Sequence, residues 1–141
     1  FDSQGRVLLT RRHPDKPWGG WWECTGGAVT AGEDSYTGAL REVAEEIGVD
    51  LKEGPAGKLV KSYRRTANQP GKYSSFYDVY LFVRDIPAEK LILQPEEVTD
   101  AKWVTRQEYE AMLAGGRIVP TLDNAYELWD SFCEMSKNYE L

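Results

Sequence analysis

A chain of 141 residues, 41% hydrophobic and 28% charged, is long enough for one domain that buries about two thirds of its unfolded surface. A net charge of −6 without any basic stripe excludes a nucleic-acid polymer as partner, because such binding works by displacing counterions from phosphates; a small phosphate carried with a metal stays open. No apolar run approaches the roughly twenty residues of a membrane span and no signal peptide is visible, so no membrane partner is expected and the cytoplasm is the expected compartment. Cys24 and Cys133 form no CxxC or Cys/His pattern and are read as two reduced thiols, although spacing alone does not exclude a disulfide.

Phe1 to Arg6 reads as a turn punctuated by Asp2, Ser3 and Gly5, and Val7-Leu8-Leu9 follows as a buried strand. Arg11 and Arg12 close that strand, where either guanidinium can reach a substrate phosphate or simply meet solvent; Arg11 is carried forward as the candidate. His13, the only histidine, lies in the loop His13-Pro14-Asp15-Lys16-Pro17 and reads as a surface residue rather than a base. Trp18, Trp21 and Trp22 are more than one short segment needs for packing. Trp18 and Trp21, in a glycine-rich loop, are candidates for lining a pocket against a flat base, with core packing as the ordinary alternative.

The segment GAVTAGEDSYTGALREVAEEIGV from Gly27 to Val49 organises the rest. Its second half has the marks of an amphipathic helix: Asp34 or Ser35 can cap the start, Gly48 can close the end, and no proline interrupts. At about 100° per residue, Tyr36, Leu40, Val43, Ala44 and Ile47 gather on one side and Glu42, Glu45 and Glu46 on the other. Three glutamates on one helix face are ordinarily a solvated surface, but like charges at this spacing repel, and a cation between them resolves the conflict. An all-oxygen cluster with no nearby histidine suits a hard divalent ion, Mg²⁺ first and Mn²⁺ as its substitute. Mg²⁺ held by a few carboxylates takes its other ligands from water and substrate phosphates. Gly26 and Gly27 allow a sharp turn that offers a carbonyl to the same ion. Glu33 and Arg41 can pair across the loop and hold the guanidinium beside the glutamates.

Gly27, Glu33 and the run Arg41-Glu42-Val43-Ala44-Glu45-Glu46-Ile47-Gly48-Val49 resemble the Nudix box at every fixed position. The resemblance in detail covers Gly5 to about Val104. It implies that Glu42, Glu45, Glu46 and the carbonyl of Gly27 hold metal, that Glu33 and Arg41 give structural support, and that a strand ends near Phe1, most of it lost from a chain that begins there. It also favours a structural place for Trp22, leading a strand into the Gly26-Gly27 turn.

After the box, Leu51 to Gly57 is a polar turn region. Lys58–Thr66 and Ser74–Val83 read as strands joined through Asn68-Gln69-Pro70-Gly71, the second of them central and largely buried. Tyr63, Arg64, Arg65, Tyr73 and Tyr77 lie on or beside this hairpin; Tyr77 is carried forward as a substrate-binding candidate, with packing as its alternative. Proline keeps the connection from Ile86 to Pro95 out of a helix. Ala101–Val104 reads as a short strand. Many Nudix enzymes place an extra acid before such a strand, and Glu97 matches that placement ahead of Glu96. Thr105-Arg106-Gln107-Glu108 has capping-box form and opens a helix to about Ala114, and Thr121 to about Lys137 is a last amphipathic helix carrying Leu122, Ala125, Leu128, Trp129 and Phe132.

Irregular alternation of strand and helix signals argues for a mixed sheet with helices on both faces, and the family implies the same α/β fold, an α/β/α sandwich. A single domain spanning residues 1–141 is expected. The function implied is a metal-dependent pyrophosphohydrolase that cleaves a nucleoside diphosphate linked to another moiety by water attack on phosphorus. Glu42, Glu45, Glu46 and Glu97 are the catalytic candidates, the proton acceptor lying between Glu42 and Glu97. Its partner is a small nucleotide or diphosphate, and a homodimer stays open. Two other readings stand beside it: a non-catalytic nucleotide-sensing module, and an isopentenyl-diphosphate isomerase, which needs a catalytic cysteine and a histidine-rich metal site.

Overall fold

A computed structural model describes residues 1–66, 74–120 and 126–139. Strand β1 (Val7–Arg12) sits between β2 (Trp22–Glu23) and β5 (Val98–Val104), both antiparallel to it. The β1–β5 register runs from Val7 opposite Val104 to Arg12 opposite Val98, with an irregularity between Arg11 and Arg12. Beyond β2 the sheet continues in the other sense: the Trp22 amide donates to Arg117 O at 2.8 Å, and the Val119 amide donates to Trp22 O at 2.9 Å. This is a parallel bridge between Trp22 and Ile118, which makes the sheet mixed. Its buried side chains, Val7, Leu9, Trp22, Val104 and Ile118, pack with Tyr109 of α2 (Arg106–Ala114) and Trp129 of α3 (Tyr126–Tyr139) into the main core.

A second, two-stranded sheet is formed by β3 (Lys58–Arg65) and β4 (Ser75–Leu81). Side chains alternate across a strand, and here the alternation sets a helix on each face. Tyr80 and Phe82 point one way and meet Tyr36 of α1 (Ser35–Ile47), with ring centroids 5.1 and 5.9 Å apart. Leu81 points the other way and packs with Phe132 and Met135 of α3. The mixed α/β architecture is the one expected.

The local signals hold where the chemistry is local. Asp34 caps α1 by accepting from the Thr37 amide at 2.7 Å. Thr105 and Glu108 close a reciprocal capping box at the start of α2. Cys24 and Cys133 are both free. Three expectations change. β4 is not a central buried strand: among the described residues it pairs only with β3, Phe76 is 81% exposed, and burial is reached only at Leu81, because only that end lies between α1 and α3. Ile47 of the expected apolar face is buried but Ala44 is exposed, and the other buried residue of α1 is Gly38, on the opposite side of the helix beneath Val29 and Glu33 of the preceding loop. β5 begins at Val98 rather than Ala101, extended by the whole length of β1. The turn expected at residues 68–71, Tyr73, Leu122 and Ala125 lie outside the described residues.

α1 ends at Gly48, whose left-handed backbone (φ 70°) lets its amide donate to Ala44 O at 3.1 Å. A Cβ there would stand 2.8 Å from Ile92 Cβ. Gly48→Ala is therefore expected to cost about 1–3 kcal/mol, read as a lower urea midpoint at unchanged slope. An unshifted midpoint would show that the left-handed cap is dispensable.

Candidate active site

The site is built on the loop that leads into α1. Glu33 accepts two hydrogen bonds from Arg41, Nε at 2.9 Å and Nη2 at 3.1 Å, and two more from the Thr30 amide and hydroxyl at 3.0 and 3.1 Å. This bidentate pair fixes the guanidinium plane, and its remaining donors reach Ala28 O at 2.9 Å, Glu42 Oε1 at 2.9 Å and Glu45 Oε2 at 3.2 Å. One arginine thus ties the loop to two of the three helix carboxylates. The Arg41 hydrogen bonds, followed by that of the Thr30 amide, hold the Glu33 carboxyl down to about 2, and the same bonds raise Arg41 above its ordinary value.

Beside this knot lies an open cleft of about 330 Å³, lined by Arg12, Lys16, Gly26, Gly27, Ala28, Glu42, Glu45, Glu46, Gln94 and Glu97. Its far wall is clamped to the C-terminal end of α1, because the Gln94 amide donates to Glu46 O at 2.9 Å and the Ile92 amide to Ile47 O at 3.0 Å. Gly27 passes so close to Glu42 that a Cβ there would overlap the carboxyl group. Two cations face the acids. Arg12 donates from Nη1 to Glu23 Oε1 at 2.5 Å and from Nε to Pro17 O at 2.7 Å, and Lys16 is ion-paired with Glu97. Burial, followed by the nearby charges of Glu23 and Glu42, pushes the Glu46 carboxyl up to about 7, against the opposing influence of Lys16 and Arg12.

Of the residues singled out from the sequence, Gly27, Glu42, Glu45, Glu46 and Glu97 meet in this cleft, with Glu33 and Arg41 beneath it. The substrate-binding candidates Arg11, Trp18, Trp21 and Tyr77 do not line it. Arg11 leaves β1 on the face opposite Arg12 and donates to Gly20 O at 3.1 Å. Trp18 and Trp21 pack edge to face at 4.8 Å, and Tyr77 stacks on Tyr63 at 5.0 Å, so each aromatic meets another ring rather than the carboxylates. Lys16 and Gln94 line the cleft without a signal in the sequence, Arg12 lines it although Arg11 is the one carried forward from that pair, and Glu23 reaches its edge through Arg12. Strand alternation was the available signal for Arg12. None existed for Lys16, whose place depends on the path of a loop.

A family model described as a NUDIX domain matches residues 1–122. The chain belongs to the Nudix family. It is 33% identical over 124 residues to an uncharacterised Nudix hydrolase of Listeria monocytogenes, an alignment covering 85% of this chain and 68% of that protein. It is 27% identical over 108 residues to the CTP pyrophosphohydrolase of Escherichia coli, covering 77% and 73% respectively. The crystal structure of DR0079 from Deinococcus radiodurans superimposes with a TM-score of 0.67 at 27% identity, over 84% of this chain and 70% of that one. Membership of this Nudix hydrolase family sets the class of reaction, hydrolysis of phosphoric anhydrides, and Nudix enzymes generally use divalent metals.

The raised Glu46 carboxyl makes metal-free stability depend on pH. An unfolded glutamate ionises near 4.5, whereas Glu46 in the fold keeps its proton up to about 7. Between those values the folded state binds the extra proton, so its contribution is present below pH 4.5 and is lost as pH rises to 7. Melting in excess EDTA should therefore show a downward step across that window that is absent in Glu46→Gln. A step of the same size in both proteins would assign it to other groups.

Proposed function

We propose that this Nudix enzyme is a cytoplasmic Mg²⁺-dependent pyrophosphohydrolase, with Mn²⁺ as a substitute, acting on a nucleoside diphosphate linked to another moiety. The observation that carries the reading is the convergence of Glu42, Glu45, Glu46, Glu97 and the Gly26-Gly27 turn on one open cleft that also holds Arg12 and Lys16. The donor set fits the ion: every candidate ligand is oxygen, as Mg²⁺ requires. Among the described residues these carboxylates share the cleft without three of them being gathered closely enough to form a metal cage by themselves. The reason lies in their present partners, since Glu42 and Glu45 turn to Arg41 and Glu97 to Lys16.

Glu42, Glu45, Glu46 and the Gly27 carbonyl would hold the cation, which when bound supplies positive charge to the anhydride and lowers the pKa of water. Arg41 orients the Glu42 and Glu45 carboxylates so that their spacing does not depend on their own mutual repulsion. The proton acceptor is Glu42 or Glu97, each held by one cation, Arg41 and Lys16 respectively; of the two, only Glu97 has a partner that an incoming phosphate can draw away. Arg12 and Lys16 face the phosphate chain, and the open mouth of the cleft leaves room for whatever the diphosphate is linked to. The E. coli relative's name, CTP pyrophosphohydrolase, supports a nucleotide as one part of the substrate. The free thiols of Cys24 and Cys133 support a reducing compartment. The isomerase reading gains no support, since neither His13 nor Cys24 lines the cleft.

A screen of nucleoside triphosphates, sugar nucleotides, dinucleoside polyphosphates, NADH and coenzyme A with Mg²⁺ should yield a substrate whose turnover stops in excess EDTA. Run in ¹⁸O-labelled water, that reaction should place one solvent oxygen in a phosphate product. Tight Mg²⁺-dependent binding without product would favour a sensor instead. Glu45→Gln and Glu46→Gln should each lower kcat by about 10²-fold or more; metal-free melting at pH 7 should be unchanged or slightly higher in Glu45→Gln and higher in Glu46→Gln, which lacks the raised carboxyl. A clear loss of metal-free stability would reassign these residues to the scaffold.

A further inference from the structure

The loop between β1 and β2 is built more tightly than a connector requires. The His13 amide donates to Glu97 O at 2.9 Å, the Gly20 amide to Arg12 O at 3.0 Å, and the Trp21 amide to Trp18 O at 3.0 Å. Gly19 runs against the Pro14 carbonyl so closely that any Cβ would overlap that backbone, and Trp18 adopts a left-handed conformation (φ 59°) that bulky residues rarely accept. The edge-to-face contact between Trp18 and Trp21 holds that turn. The loop's tethers at His13 and Arg12 bring Lys16 to the cleft, where its ammonium rests on the carboxylate of Glu97. Both partners are about two thirds buried, so the pair is shielded more than a surface ion pair.

We propose that Lys16 is a phosphate-sensing latch: it neutralises Glu97 in the empty cleft and exchanges that carboxylate for a phosphate oxygen of the incoming diphosphate, freeing Glu97 for its part in the reaction. This rests on the reading of the cleft as the anhydride site. The exchange preserves charge pairing at the lysine, whose ammonium trades one anionic oxygen for another. The diphosphate as a whole carries two negative charges against the single charge of the carboxylate, so it competes for the ammonium when it arrives. Without a phosphate the proton acceptor remains occupied, which couples readiness for water attack to the presence of substrate. Lys16 is in this view a substrate-contacting and positioning residue. Trp18 and Trp21 serve the reaction through the loop rather than by stacking on a base.

The test uses the metal-free protein in EDTA at low ionic strength and inorganic pyrophosphate as probe, titrated by calorimetry to about 10 mM. Wild type should bind, Lys16→Met should bind about fivefold or more weakly, and Lys16→Arg should restore most of the loss. Glu97→Gln should bind pyrophosphate several-fold more tightly than wild type, because the competing carboxylate is gone, and the gain should vanish in the double variant with Lys16→Met. Equal binding by wild type, Lys16→Met and Glu97→Gln overturns the latch. So does failure of wild type to bind at all in that range, since the lysine then stays on Glu97. Once a substrate is known, Lys16→Met should raise KM with little change in kcat, whereas a purely structural lysine would move neither. A cycle that holds in EDTA while no Mg²⁺-dependent hydrolysis is found would sink the proposed function and leave the latch; hydrolysis with a flat cycle would do the reverse.

Discussion

Two of the three carboxylates that face the cleft from α1, Glu42 and Glu45, are placed by one guanidinium. A helix with Glu42, Glu45 and Glu46 on one side is strained by its own charge, and a glycine-rich loop beside it has no intrinsic reason to hold one shape. Arg41 resolves both at once. Its planar fork is locked by Glu33, which is itself anchored by Thr30, and the donors left over reach the Ala28 carbonyl, Glu42 and Glu45. A lysine at position 41 would neutralise the same charge but would have no plane with which to set these directions.

The rest of the cleft follows from charge balance in a partly shielded place. Arg12 and Lys16 supply positive charge from the opposite wall, yet Arg12 is shared with Glu23 and Lys16 with Glu97, and Glu46 is left among acids. Burial and the neighbouring carboxylates together raise Glu46, so ionising it at neutral pH costs stability in the metal-free protein. A divalent cation held there, as proposed, would remove that cost. Stability is given up locally, and the tightly packed sheet and helix core formed by Leu9, Trp22, Val104, Tyr109 and Trp129 tolerates the loss.

The sequence carried the parts of this molecule that depend on neighbours in the chain: the Asp34 cap, the Gly48 stop, the Thr105 capping box, the pairing of Glu33 with Arg41 within one loop and helix, and the glutamate face. Each is set by spacing along a helix or by a short loop, where geometry is nearly independent of the remaining fold. It also carried the family, because the box is long and rigid in spacing. Only the tertiary structure decided what faces the glutamates. Arg12 rather than Arg11 enters the cleft, a choice set by the face of β1; Lys16 arrives through a loop whose path depends on Gly19, Trp18 and a hydrogen bond to Glu97 O; and Trp18, Trp21 and Tyr77 are satisfied by other rings. The burial of β4 was misjudged for the same reason: apolar and aromatic composition marks a strand, but what covers it is set by α1 and α3, whose packing is a long-range property of the chain.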